Sequence, residues 1–184
     1  AGLVESRRAP WWDVLSHALE TTTAPVLDWG PDGGARLVRP LGGTAARRSA
    51  LHALLPAFRV PTGERDRRLE SLRSALGVAG EAPCALATWE QARTLAEAGM
   101  EIGAHTMTHP HLSVLAPEAQ AHEIAASRET IAARLGVPVP GLAYPGGDHD
   151  ERTVAAARAA GLDYAVTPRA GDATPGVARF RIPR

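Results

Sequence analysis

His105 and His109 stand four residues apart in Glu101-Ile102-Gly103-Ala104-His105-Thr106-Met107-Thr108-His109-Pro110, where a short apolar run meets a proline. Imidazole is a common ligand for zinc and its neighbours, and two at close spacing can clamp one ion. Two neutral ligands do not complete such a site, so a carboxylate or another histidine must come from elsewhere. A zinc peptidase reading is weak, because threonine follows His105 where a His-Glu-x-x-His protease has its glutamate.

The elements that position this pair follow from periodicity and punctuation. Residues 1–10 read as a loop. Trp11 to Glu20 carries Trp11, Trp12, Leu15 and Leu19 on one helical face. The two tryptophans are packing anchors or, less simply, a platform for a sugar ring. Val26-Leu27-Asp28-Trp29 and Ala35-Arg36-Leu37-Val38 flank Gly30-Pro31-Asp32-Gly33-Gly34 as a hairpin. Helices are expected at about 44–57 and 64–76, the second bearing the charge run Arg65-Asp66-Arg67-Arg68 as a solvated face. Gly77 to Ala85 is a connector.

From Thr88 the rhythm changes. Thr88-Trp89-Glu90-Gln91 fits a capping box, opening a helix that ends at Gly99. A strand over Glu101 to Ala104 follows. Pro117 opens a long helix with Ile124, Ile131 and Leu135 on one face and Gly136 as its stop. Gly141 to Tyr144 is a second strand, Asp150 caps a helix over Glu151 to Ala160, and Tyr164 to Thr167 is a third strand. Phe180-Arg181-Ile182 is a candidate fourth. Strands alternating with helices predict a parallel α/β architecture. Sites in such folds gather where strands end, which is where His105 and Tyr144-Pro145-Gly146-Gly147 fall.

Composition narrows the functional classes. The formal net charge is zero, so there is no electrostatic footprint for nucleic acid. All 20 basic residues are arginine, which reads as compositional bias. No apolar run approaches the roughly 20 residues needed to span a bilayer, and no signal peptide is visible. Cys84, in an apolar Ala-Pro-Cys-Ala-Leu stretch, reads as buried and inert. His17, His52 and His122 read as surface residues. Asp148-His149-Asp150 offers oxygen and nitrogen ligands, although turn and cap roles account for both aspartates. The chain opens abruptly at Ala1-Gly2-Leu3 without a methionine and reads as a fragment.

Glu101 to Leu112, with His105-Thr106-Met107-Thr108-His109-Pro110 at its centre, resembles the second motif of the polysaccharide deacetylases, carbohydrate esterase family four, whose pattern is His-Ser/Thr-x-x-His-Pro. Leu142-Ala143-Tyr144-Pro145-Gly146-Gly147-Asp148 resembles the family's third motif. The resemblance covers about residues 86–184 and thins upstream, where Trp11-Trp12-Asp13 matches one branch of the family. It implies a distorted (β/α) barrel, incomplete at its N-terminal side in this chain. It also implies a single domain over 1–184, with 11–85 as a helix and hairpin insertion and 86–184 as the core.

The implied activity is hydrolysis of N- or O-acetyl groups of a polysaccharide or oligosaccharide with a divalent metal, zinc by preference. His105 and His109 would be metal ligands and the Gly146 N–H an oxyanion donor. Tyr144, Pro145 and Gly147 would meet the glycan. Arg181 is either the residue that orients the base or an exposed terminal side chain, and His111 is either near the site or exposed. An extracytoplasmic or cell-envelope location is implied as well.

The departures are specific. The family's first motif, of the Thr-Phe-Asp-Asp-Gly type, supplies the base and the third ligand and has no counterpart here. Ala143 stands at the usual arginine, Gly146 at the usual aromatic, and no Leu-x-His follows. A degenerate, sugar-binding deacetylase-like module is therefore the alternative. A chain without the first strands would expose an unpaired sheet edge, so low stability or association is expected of it.

Overall fold

The computed structural model describes residues 1–31 and 33–183. Its elements run α1 (Gly2–Ser6), α2 (Trp11–Thr21), β1 (Val26–Trp29), β2 (Leu37–Pro40), α3 (Thr44–Leu54) and α4 (Thr62–Ala75). They continue with α5 (Trp89–Glu97), α6 (Pro117–Leu135), β3 (Gly141–Ala143), α7 (Glu151–Ala159) and β4 (Tyr164–Val166). Two compact units result, one of Ala9–Ala85, the other of Ala1–Arg8 together with the chain from Leu86 onward.

In the unit Ala9–Ala85, β1 and β2 pair antiparallel with Leu27 opposite Arg39 and Asp28 opposite Val38. The expected turn residue Asp32 lies outside the described residues. Helices α2, α3 and α4 bury Leu15, Leu19, Leu54 and Leu72 against Leu27. At the centre Phe58 stacks between Trp11 and Trp29, with ring centroids 6.1 Å and 5.6 Å away. Trp11 is thus a packing anchor, Trp12 packs edge-on against it while half-buried, and Trp29 Nε1–H donates to Ser71 Oγ. The charge run on α4 is not wholly solvated as expected. Arg65 is 3% exposed with its guanidinium over the Trp11 ring, because a long apolar stem and a flat cation can both pack on an aromatic face. Cys84 is half-buried, not enclosed, since its stretch joins no helix or strand.

The other unit is a parallel arrangement in the spatial order Ala104, β3, β4, Ile182. Ala104 bridges Leu142, β3 pairs with β4, and Val166 bridges Ile182, all parallel. Helix α6 connects the first pair and α7 the second, which is the crossover that parallel neighbours require. The expected strand Glu101 to Ala104 shrinks to one bridge, held by Ala104 N–H to the Gly141 carbonyl and Ala143 N–H to the Ala104 carbonyl. Residues 180–182 likewise contribute one bridge. The core holds Ala104, Leu112, Ile124, Leu142, Ala165 and Phe180.

Residues 2–6 are helical, not a loop. Five residues are too few for a self-supporting helix. Contacts hold α1: Leu3 N–H donates to the Met107 carbonyl, and Glu5 forms a two-pronged pair with Arg134 of α6.

Helix ends behave as local chemistry dictates. Thr88 and Gln91 form the capping box of α5. Gly136 closes α6 in the left-handed region at φ 71°. Asp150 caps α7, its carboxylate accepting from the Thr153 N–H. Burial opposes the Asp150 charge, but hydrogen bonds from Thr153 and Arg152 outweigh it and hold its pKa at about 2. We expect Asp150→Ala to cost about 1 kcal/mol at neutral pH. A folded pKa below the unfolded value means that this contribution is present above about pH 4 and fades toward pH 2. Denaturant titrations of both proteins across that range check it. A gap that is unchanged at pH 2 contradicts it.

Candidate metal centre

The two histidines emerge at the carboxyl end of the Ala104 bridge, on a loop that turns too sharply for ordinary residues. Thr106 has φ 63° and His109 φ 53°, both in the left-handed region. For a β-branched threonine this conformation is costly and persists only where its surroundings over-determine it; such residues cluster at functional sites. Thr106 is fully buried, and its Oγ1 accepts from the His109 N–H at 3.1 Å. The threonine of the motif therefore sets the backbone that aims the second histidine.

This turn brings the imidazoles together, with ring centroids 4.7 Å apart and planes at 79°. His105 Nδ1 lies 2.7 Å from the Ala143 carbonyl oxygen. A carbonyl only accepts, so the proton sits on Nδ1, and the lone pair that this ring can offer a metal is on Nε2. A fixed tautomer of this kind is what metal-ligating histidines ordinarily receive from a carbonyl or carboxylate. The donor set suits zinc or a neighbouring divalent ion as two of its ligands. Among the described residues, no cluster of three or more His, Cys, Asp and Glu side chains forms around them.

The turn after β3 lies alongside. Gly146 is exposed with φ 58° and Gly147 has φ 73°. A Cβ on Gly147 would come within 2.4 Å of Pro168 Cδ, and one on Gly146 would be 3.8 Å from His111 Cε1. The left-handed backbone favours glycine at both positions, and Gly147 is also required by close approach. Asp148 fastens this turn to the histidine segment: its carboxylate accepts from the Ser113 N–H at 2.7 Å and the Ser113 hydroxyl at 2.8 Å.

Tyr144 and Pro145, expected to meet a glycan, are buried. The Tyr144 ring stacks on His149, and its hydroxyl donates to the Phe180 carbonyl, so this side chain serves the core. Burial pushes its pKa up to about 12, against the opposing charges of Arg181 and Arg158. Arg181 pairs with Glu151 and lines a cavity of about 290 Å³ with His149, Thr167 and Arg169. His111 sits beside Gly146, and His52 and His122 are exposed while His17 is half-buried.

One residue of this site escaped the sequence. Glu123, buried on α6, takes both the Met107 and Thr108 N–H groups on Oε2, and the Thr108 hydroxyl on Oε1. The available signal was polar residues inside an apolar face: Gln120 and Ser127 interleave with Ile124 and Ile131, and Glu123 borders that stripe.

Residues 79–165 match the family model described as polysaccharide deacetylase. A Bacillus subtilis (strain 168) protein, YxkH, provisionally named a polysaccharide deacetylase, is 32% identical over 87 residues, which are 47% of this chain and 31% of that protein. A Streptococcus pyogenes deacetylase, PplD, solved in complex with acetate, superposes with a TM-score of 0.52 at 26% identity, over 53% of this chain and 43% of that one. The deacetylase domain of BpsB from Bordetella bronchiseptica gives 0.52 at 22% identity, over 57% and 51%, a likeness of fold alone. The chain spans under a third of the B. subtilis relative and about half or less of these two structures.

Proposed function

We propose, from the match of residues 79–165 to the polysaccharide deacetylase family, a metal-dependent enzyme that removes N- or O-acetyl groups from a polysaccharide or oligosaccharide. Its fold is of the family's barrel type. The observation that carries the reading is the His105–His109 pair, 4.7 Å apart with the His105 tautomer fixed by Ala143, beside the Gly146 turn.

His105 and His109 would hold the divalent ion, zinc by preference. When bound, such an ion supplies Lewis acidity toward an acetyl carbonyl and toward water. The chain's own part is positional. Ala143 keeps the proton on His105 Nδ1, Thr106 Oγ1 holds His109 in its strained turn, and Asp148 keeps the glycine turn against Ser113. In that turn Gly147 and Asp148 direct their N–H groups inward to the Tyr144 and Pro145 carbonyls. Exposed Gly146 is the position we assign to oxyanion donation, a role that needs only a backbone N–H. Arg181 we assign to orienting the base from its place beside Glu151. Residues 11–85 are read as an insertion in a single domain over 1–184. The reading carries with it an extracytoplasmic or cell-envelope location; among the described residues no helix is long and apolar enough to cross a membrane.

The test is acetate release by the intact protein from N-acetylated and O-acetylated glycans, with zinc or cobalt supplied and after chelation. Release that stops on chelation and returns with the metal is the expected result. No acetate from either substrate set contradicts it, and glycan binding without cleavage would favour a sugar-binding module instead.

A further inference from the structure

Glutamate is rarely buried, and a buried carboxylate must be fully hydrogen-bonded to be tolerated. Among the described residues, Glu123 finds its hydrogen-bond donors in the loop between the two histidines. Its Oε2 accepts from consecutive backbone N–H groups, Met107 at 2.7 Å and Thr108 at 2.9 Å, and its Oε1 from the Thr108 hydroxyl at 2.7 Å. The opposite side of the same loop is also held: the Thr106 carbonyl accepts from the Ala1 nitrogen and the Met107 carbonyl from Leu3 N–H. The left-handed Thr106 and His109 stand at the two ends of the gripped segment. A turn in this conformation would relax if its N–H groups were returned to water.

Resting on the metal reading above, we propose that Glu123 is a positioning residue: its carboxylate, projecting from α6, clamps the 106–108 backbone and so fixes the separation of His105 and His109 before any ion arrives. Hydrogen bonds to a charged acceptor are stronger than neutral ones, which suits a group that must balance backbone strain. The clamp needs an acceptor on the two N–H groups and a polar partner for the Thr108 hydroxyl, not a full negative charge. A glutamine can keep its amide oxygen on the two N–H groups and donate its NH₂ to the Thr108 hydroxyl.

That property sets the test. Zinc affinity and amide exchange are measured for wild type, Glu123→Met, Glu123→Gln and, as a control on the exposed face of α6, Glu129→Gln. Glu123→Met keeps the length of the side chain and removes every acceptor. It is expected to weaken zinc binding by about 10–100-fold, the usual loss for a group that orients metal ligands. Its Met107 and Thr108 amides should exchange faster in the metal-free protein. Glu123→Gln should restore both readouts to within a few fold, and Glu129→Gln should change neither.

A merely structural role would lower the melting temperature of Glu123→Met yet leave the zinc affinity of the folded protein unchanged; that result overturns the proposal. Should Glu123→Met fail to fold, Thr108→Val decides. It removes the hydroxyl donor of Oε1 and should weaken zinc a few fold, with a modest loss of melting temperature for the unpaired oxygen; wild-type zinc affinity in the folded variant overturns the proposal. If wild type itself binds no zinc, the metal reading falls. The clamp is then read from the metal-free amides alone, and wild-type exchange in Glu123→Met refutes it.

Discussion

Alanine at both His105 and His109 is expected to reduce zinc affinity on the order of 10⁴-fold. Zinc held by four protein ligands gains about 10–16 kcal/mol, or roughly 3 kcal/mol per ligand. Two ligands lost together therefore remove about 6 kcal/mol, at 1.4 kcal/mol per decade. The single variants should fall near the midpoint of that range, since each leaves the other imidazole in place. The fold should barely notice. His105 is exposed and His109 half-buried, and neither belongs to the apolar cluster around Leu142 and Ala165. Calorimetric zinc titration with a parallel thermal melt separates the two effects. A double variant that binds zinc as wild type does would move the metal centre away from this loop.

Phe58→Ala carries the largest expected loss of stability, about 3–5 kcal/mol for removing a buried ring. Phe58 has no exposed surface, and its ring lies nearly parallel to Trp11 at 16° and to Trp29 at 12°. Deletion leaves a cavity between two rigid indoles that cannot close over it, and removes two stacking contacts worth about 0.5–1.5 kcal/mol each. Phe58→Leu refills part of the space and should cost less. Denaturant unfolding followed by tryptophan fluorescence reads this unit directly, because Trp11, Trp12 and Trp29 all lie in it. A loss below about 1 kcal/mol for the alanine variant would mean the stack is not the organising core of Ala9–Ala85.

The candidate site was legible where chemistry is written locally. His105-Thr106-Met107-Thr108-His109-Pro110 holds its two imidazoles, its strained threonine and its stop within six residues, and Gly146-Gly147 announces a left-handed turn. The capping boxes at Thr88 and Asp150 and the glycine end of α6 were legible for the same reason. What stayed hidden depends on partners distant in the chain. Glu123 looks like one more charge on a helix until Met107 and Thr108 are seen above it. Tyr144 sits in a motif yet turns inward to Phe180. Arg65 belongs to a solvated-looking charge run but packs on Trp11. Helix α1 has too few residues to announce itself and exists through Met107 and Arg134.

The most direct test of the account is the zinc X-ray absorption fine structure of the loaded protein. Imidazole nitrogens at about 2.0–2.1 Å, with the outer-shell scattering of two rings and its loss in the His105→Ala, His109→Ala variant, are what the account predicts. A zinc shell without imidazole, or one indifferent to that double substitution, would contradict it.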